Sequence, residues 1–108
     1  LTFSQAATGA SGIETLLSLS LELYHNGSLK LETIIKALTS NPAKILKINK
    51  GNLSIGNDAD LCIVDIDKPW IVKKAKLVSK SKNTSIEDKK LQGKVINTFV
   101  KGKELFKL

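Results

Sequence analysis

The apolar period of this sequence changes once, near residue 59, and that change limits the fold more than any other feature. Ahead of it, apolar side chains recur at helical spacing; behind it they form short runs and alternations of the kind strands show. A chain of 108 residues patterned this way reads as α+β, helices first and strands last. It is long enough to bury one core but not two.

The helical half divides at its punctuation. Residues 1–12 read as a loop rich in Ala, Ser, Thr and Gly. Ser11-Gly12-Ile13-Glu14 matches a capping box, in which the Ser hydroxyl and the Glu carboxylate each bond a free amide of the first turn. The helix it opens spans 13–25, with Ile13, Leu16, Leu17, Leu21 and Tyr24 on one stripe and Leu19 and Leu23 on a second. A helix apolar over so much of its circumference is buried on more than one side. Asn26-Gly27 caps its end. Residues 31–39 form a second helix through Leu31, Ile34, Ile35 and Leu38. Asn41, as N-cap, and Pro42, in the first turn, then start a short third one supported by Ile45, Leu46 and Ile48. Gly51 and Gly56 bracket a turn region around Leu53 and Ile55.

In the second half, Leu61-Cys62-Ile63-Val64 reads as a strand covered on both faces and ended by Pro69, with Cys62 as a small buried hydrophobe. Residues 70–72 and 76–78 are weaker strand candidates, and 79–92 are polar and loop-like. Lys94–Val100 is a clear strand, Lys101-Gly102 a two-residue hairpin turn, and Lys103–Phe106 its return.

Composition narrows the function classes. No run of about 18 uncharged apolar residues exists, which excludes an apolar helical membrane span. The start lacks the basic and apolar regions of a signal peptide, and one cysteine closes no intrachain disulfide, so a reducing, cytoplasmic setting is expected. No methionine is present, which predicts a piece of a longer chain or a processed product. All 17 basic residues are lysine, and without arginine's planar fork sequence-specific nucleic-acid reading is weakened. Residues 1–67 carry net −2 and residues 68–108 net +9. That basic half could steer onto phosphate, but a lysine-studded solvent face is the favoured reading, because Phe99 and Phe106 sit on strand patterns and offer no stacking platform.

Little chemistry is visible in the chain itself. His25 is the only histidine; in the last turn of its helix it suits the dipole, and no second base or ligand lies near it in sequence. Asp58 and Asp60 share one face of a strand and could hold a cation or do acid–base work, but bonding loop amides is the favoured reading. Ser4, Ser11 and Ser79 lack a nucleophile elbow. Gly9-Ala10-Ser11-Gly12 resembles an anion-binding nest without being a P-loop, and leaves amides free for a carboxylate or carbonyl oxygen.

Several spaced segments carry a family resemblance. Asn41-Pro42-Ala43-Lys44-Ile45, Gly51, Leu53, Ile55-Gly56 and Asp58-Ala59-Asp60-Leu61 resemble, in order, the C-terminal signature of the amidohydrolase superfamily. Gly9-Ala10-Ser11-Gly12-Ile13-Glu14-Thr15 is similar to the segment that opens the last barrel helix of dihydroorotases. Leu77-Val78-Ser79-Lys80-Ser81-Lys82-Asn83-Thr84 resembles their Ser-Lys-Ser-x-Asn-Thr segment. Leu91-Gln92-Gly93, Val95, Thr98-Phe99-Val100 and Gly102 follow it as they do there. The whole is similar to the C-terminal quarter or so of a class I dihydroorotase.

The resemblance implies an α+β fragment: the last helices of a (β/α)8 metallo-dependent hydrolase barrel followed by the C-terminal strands of its small β-sandwich. Residues 1–12 would be a substrate loop, 13–48 the terminal barrel helices, and 49–108 the C-terminal share of the composite sandwich. It implies reversible interconversion of N-carbamoyl-aspartate and dihydroorotate, in pyrimidine biosynthesis, by a zinc-dependent hydrolase acting on cyclic amides. The zinc ligands would all lie upstream, so this chain alone would bind no zinc and be inactive. The family's Pro-Phe-Gly corresponds to Ala7-Thr8-Gly9, which makes Thr8 and Gly9 the substrate-binding candidates, through backbone amides. No catalytic or metal-ligating residue is implied here. The implied partners are the upstream barrel portion and dihydroorotate, with a homo-oligomer left open and neither nucleic acid nor membrane implied. The departures at Ala7, Thr8 and Ser85, where Pro is common, leave room for a hydantoinase or allantoinase relative.

Overall fold

The computed structural model describes residues 12–80, 82 and 84–108. Three helices come first: α1 (Leu16–His25), α2 (Leu31–Leu38) and α3 (Ser40–Leu46). Three strands follow, β1 (Leu61–Ile71), β2 (Lys90–Val100) and β3 (Lys103–Lys107), in one antiparallel sheet ordered β1-β2-β3. The α+β order predicted from the change of period is the one observed.

The core lies where α1 crosses the sheet. Leu21 of α1 and Val72, just past β1, are both fully buried, with Leu77 and Leu91 beside them in the buried set. Ile34 of α2 and Ala43 of α3 anchor the helices that extend away from the sheet. The molecule is accordingly long, 53 × 29 × 29 Å.

Local chemistry accounts for the element ends. Asn26 caps α1, and Gly27 takes φ +80°, as the cap pair requires. Lys101 and Gly102 both have positive φ (51° and 79°), the signature of a tight hairpin turn whose twist matches the strands it joins. α3 stops at Lys47, in the left-handed region.

Four expectations are corrected. α1 starts at Leu16, not 13, and its N-cap is Thr15, without a side-chain cap bond. The Glu14 half of the capping box is absent because that carboxylate bonds elsewhere, and Ser11 lies outside the described residues. α3 starts at Ser40 with Thr39 as N-cap, so Asn41 lies inside the first turn; Pro42 is still in that turn, where its missing N–H leaves no bond unmade. Pro69 does not end β1. The strand runs on through Ile71, because β1 is a sheet edge and Pro69 follows a bulge between Asp65 and Pro69. Residues 74–76 form a 3₁₀ turn rather than a strand. Cys62 is exposed, since α1 packs toward the Gly93 region of β2 and leaves the Leu61 end of edge strand β1 uncovered.

Candidate functional site

Thr8 and Gly9, the substrate-binding candidates, and the nest residues through Ser11 lie outside the described residues. The described chain resumes at Gly12, and the turn that follows is held internally by Thr15, whose amide and Oγ1 each donate to the Gly12 carbonyl at 3.2 Å. Thr15 is buried, and Ile13, beside it, is 92% exposed.

Glu14 fastens this turn to the second half of the molecule. Its Oε1 accepts from the Val78 amide and its Oε2 from the Ser79 amide, both at 3.0 Å. These two bonds, Val78's first, hold the carboxyl below the usual glutamate range, and the Lys82 and Lys94 charges act in the same direction. The segment that supplies the amides is itself tethered. Leu77 is buried, its carbonyl accepts from the Lys82 ammonium, and buried Thr84 takes the Ile86 amide on its Oγ1 at 3.3 Å. Two of the segments that carry the family resemblance thus meet through one carboxylate. A capping box explains Glu14 from local spacing, and no local spacing signals a bond to residues 64 and 65 positions away.

A second knot locks α1 to the sheet. The Trp70 indole N–H donates to both Ser18 Oγ and the Gly93 carbonyl, each at 3.0 Å, and the Ser18 hydroxyl donates to that same carbonyl. Lys94 Nζ lies 4.1 Å from the centroid of the Trp70 ring, a cation–π contact. Between these two fastenings runs an open groove of about 910 Å³, floored by Leu17, Trp70 and Val95 and edged by Lys73, Lys76 and Lys90.

The remaining candidates have structural partners. His25 Nε2 donates to the Ile66 carbonyl at 2.9 Å, inside the β1 bulge, so the histidine joins helix to strand. Asp60 accepts the Lys101 amide on Oδ1 at 2.8 Å and the Lys50 ammonium on Oδ2 at 2.5 Å. Lys50, followed by the Lys101 amide, holds the Asp60 carboxyl below its usual range. Asp58 lies 3.6 Å from the same ammonium. The carboxylate pair is therefore a brace between the loop after α3 and the β2–β3 hairpin. Of the basic half, Lys73 pairs with Asp88 and Lys89 with Glu22, at 3.2 Å, while Lys82 and Lys94 are engaged as described.

A zinc centre does not fit these residues. No group of three or more His, Cys, Asp or Glu side chains among the described residues could hold a metal ion, and residues 1–11, 81 and 83 contain none of those types. What the arrangement does chemically is fasten backbone: three carboxylates or rings (Glu14, Asp60, Trp70) each tie segments far apart in sequence.

Comparison with known proteins agrees with that supporting character. The amidohydrolase family matches residues 5–105. The chain is 45% identical over 102 residues to the dihydroorotase of Ehrlichia chaffeensis, covering 94% of this chain and 23% of that protein. It is 44% identical over 104 residues to the dihydroorotase of Anaplasma phagocytophilum, covering 96% and 23%. The same alignment with the dihydroorotase of Syntrophus aciditrophicus gives 43% over 104 residues, 96% and 24%. The chain thus spans about a quarter of the length of the curated relatives it matches. Among solved structures, an L-hydantoinase (dihydropyrimidinase) from Arthrobacter aurescens superposes with a TM-score of 0.88 at 32% identity, over 94% of this chain and 23% of that one. A D-hydantoinase gives 0.85 at 22% identity over 94% and 22%, a likeness of fold alone.

Proposed function

The chain belongs to the amidohydrolase family, and on that premise we propose that it is the C-terminal portion of a dihydroorotase-type cyclic amidohydrolase, inert on its own. The single observation that carries this reading is similarity to dihydroorotases along nearly the whole chain. In this reading the parent interconverts N-carbamoyl-aspartate and dihydroorotate in the cytoplasm, and its zinc is held by residues ahead of this chain. Residues 13–48 pack as the terminal helices of a (β/α)8 barrel and 49–108 complete a small β-sandwich. Thr8 and Gly9 present backbone amides to substrate. The upstream barrel portion is the partner that makes the chemistry possible.

The fastening role of Glu14, Asp60 and Trp70 supports this division of labour, since each joins backbone segments. The hydantoinases share the fold at lower identity, so hydantoin and allantoin are the control substrates. The test compares the 108-residue chain with a full-length protein containing it, each with zinc. The full-length protein is expected to turn over dihydroorotate in preference to hydantoin or allantoin, and the chain alone to stay at background. Turnover by the chain alone would overturn the placement of the chemistry upstream. Preference of the full-length protein for hydantoin or allantoin would replace the substrate class.

A further inference from the structure

Glu14 is exposed, makes no core contact that would explain it, and uses both carboxylate oxygens on two consecutive amides. Its position is informative. It sits one residue before the N-cap of α1, in the turn that carries the chain from residues 1–11 into the helix. Thr15 holds that turn together internally, but its bonds reach only Gly12. The two Glu14 bonds are what register the turn against residues 77–79, a segment secured in turn by buried Leu77 and by Lys82.

We propose that Glu14 is a positioning residue for substrate binding in the parent enzyme: by holding the Val78 and Ser79 amides it sets where the chain ahead of α1 enters the substrate site. This deepens, and rests on, the reading in which residues 1–12 belong to a substrate loop. Glu14 touches no reacting atom in this role. It acts by keeping backbone donors where the substrate's carboxylate or carbonyl oxygen meets them, so its effect falls on binding rather than on bond-breaking.

The donor pattern makes a discriminating variant available. Two N–H groups need two acceptors. Glu14→Gln keeps the size and the exposed setting, yet must aim its NH₂ at an N–H, so the neutral isostere breaks half of the clamp outright. Glu14→Asp is one methylene short and cannot serve both amides without moving the turn.

The experiment uses the full-length protein containing this chain, as wild type, Glu14→Gln and Glu14→Ala, with folding checked by urea midpoint. Steady-state kinetics on dihydroorotate are paired with amide exchange at Val78 and Ser79. Both variants are expected to raise KM about tenfold while kcat changes little, with faster exchange at the two amides, since charge-assisted bonds to a carboxylate are lost. Faster exchange with an unchanged KM would overturn the positioning role and leave a purely structural clamp. Unchanged exchange would overturn the clamp itself. A fall in kcat at constant KM also overturns the proposal. A wild type without dihydroorotate turnover would sink the functional reading, and this inference with it. An active wild type whose variants keep its KM sinks the inference alone.

Discussion

Gly93 is the most tightly constrained residue of the described chain. It holds φ at +110°, and a Cβ built on it would lie 2.4 Å from Leu21 Cδ1. Leu21 is fully buried, so its side chain has no room to retreat. Gly93→Ala therefore adds backbone strain to overpacking, and a loss of about 3 kcal/mol is expected in the urea midpoint. Trp70→Phe keeps the ring but removes the donor that serves Ser18 and Gly93, so a smaller loss of about 1 kcal/mol is expected by the same measurement. In the sequence Gly93 is visible only as one member of the Leu91-Gln92-Gly93 match, because nothing local records that a helix 72 positions upstream presses a leucine on it. His25 shows the opposite case. Its isolation from any second base in the sequence anticipates a structural role, and the Ile66 carbonyl supplies the partner.

At the scale of elements, legibility follows the range of the interaction. The Lys101-Gly102 hairpin, the Asn26-Gly27 cap and the apolar face of α2 depend on neighbours within a few positions, and the sequence shows all of them. The course of β1 past Pro69, the exposure of Cys62 and the use of Glu14 depend on which strand is an edge and which segment lies opposite. Pattern alone carries neither fact. The Asp60 brace falls between. Its preference for loop amides over a metal is readable from its place after a turn, and the Lys101 amide bears that out. Its partner Lys50 is not readable. The brace has a pH signature. A carboxyl held below its usual range stabilises the fold fully above the unfolded value and loses that contribution as pH falls through the folded one. Stability should therefore drop as pH falls below about 4. Asp60→Asn should flatten part of that drop, read as the difference in urea midpoint between neutral and acid pH, and an equal drop in both proteins would refute the brace. The Lys50 ammonium, raised mainly by its bond to Asp60, carries the mirror-image dependence. Its contribution is present below the unfolded lysine value and is lost as pH rises through the folded one, above about 10.

For the molecule as a whole, the decisive fact is how much apolar surface its own core leaves wet. Ile45, Leu46, Leu53 and Ile55 are 80%, 68%, 73% and 105% exposed, and all lie within or just after α3. Ile13, ahead of α1, is 92% exposed, and Leu16 on its first turn is more than half exposed. The sequence anticipates this in the helix predicted over 13–25, whose apolar stripes cover more of the circumference than one sheet can bury. Side chains of this kind, clustered rather than scattered, mark a surface meant to be covered. In the proposed parent the barrel covers it; in the isolated chain water does, at about 25 cal/mol for each Å² of apolar area left exposed. The 108-residue chain alone should therefore self-associate and bind a hydrophobic dye, whereas the full-length protein should do neither at the same concentration. Replacing Ile45 and Ile55 with glutamate should reduce both signals in the isolated chain and, by burying charge, destabilise the full-length protein. The two proteins respond in opposite directions only if these residues are solvent-facing in one and interfacial in the other. A double variant that leaves the stability of the full-length protein unchanged would show that the exposed face of α3 and its following loop is surface in the parent as well.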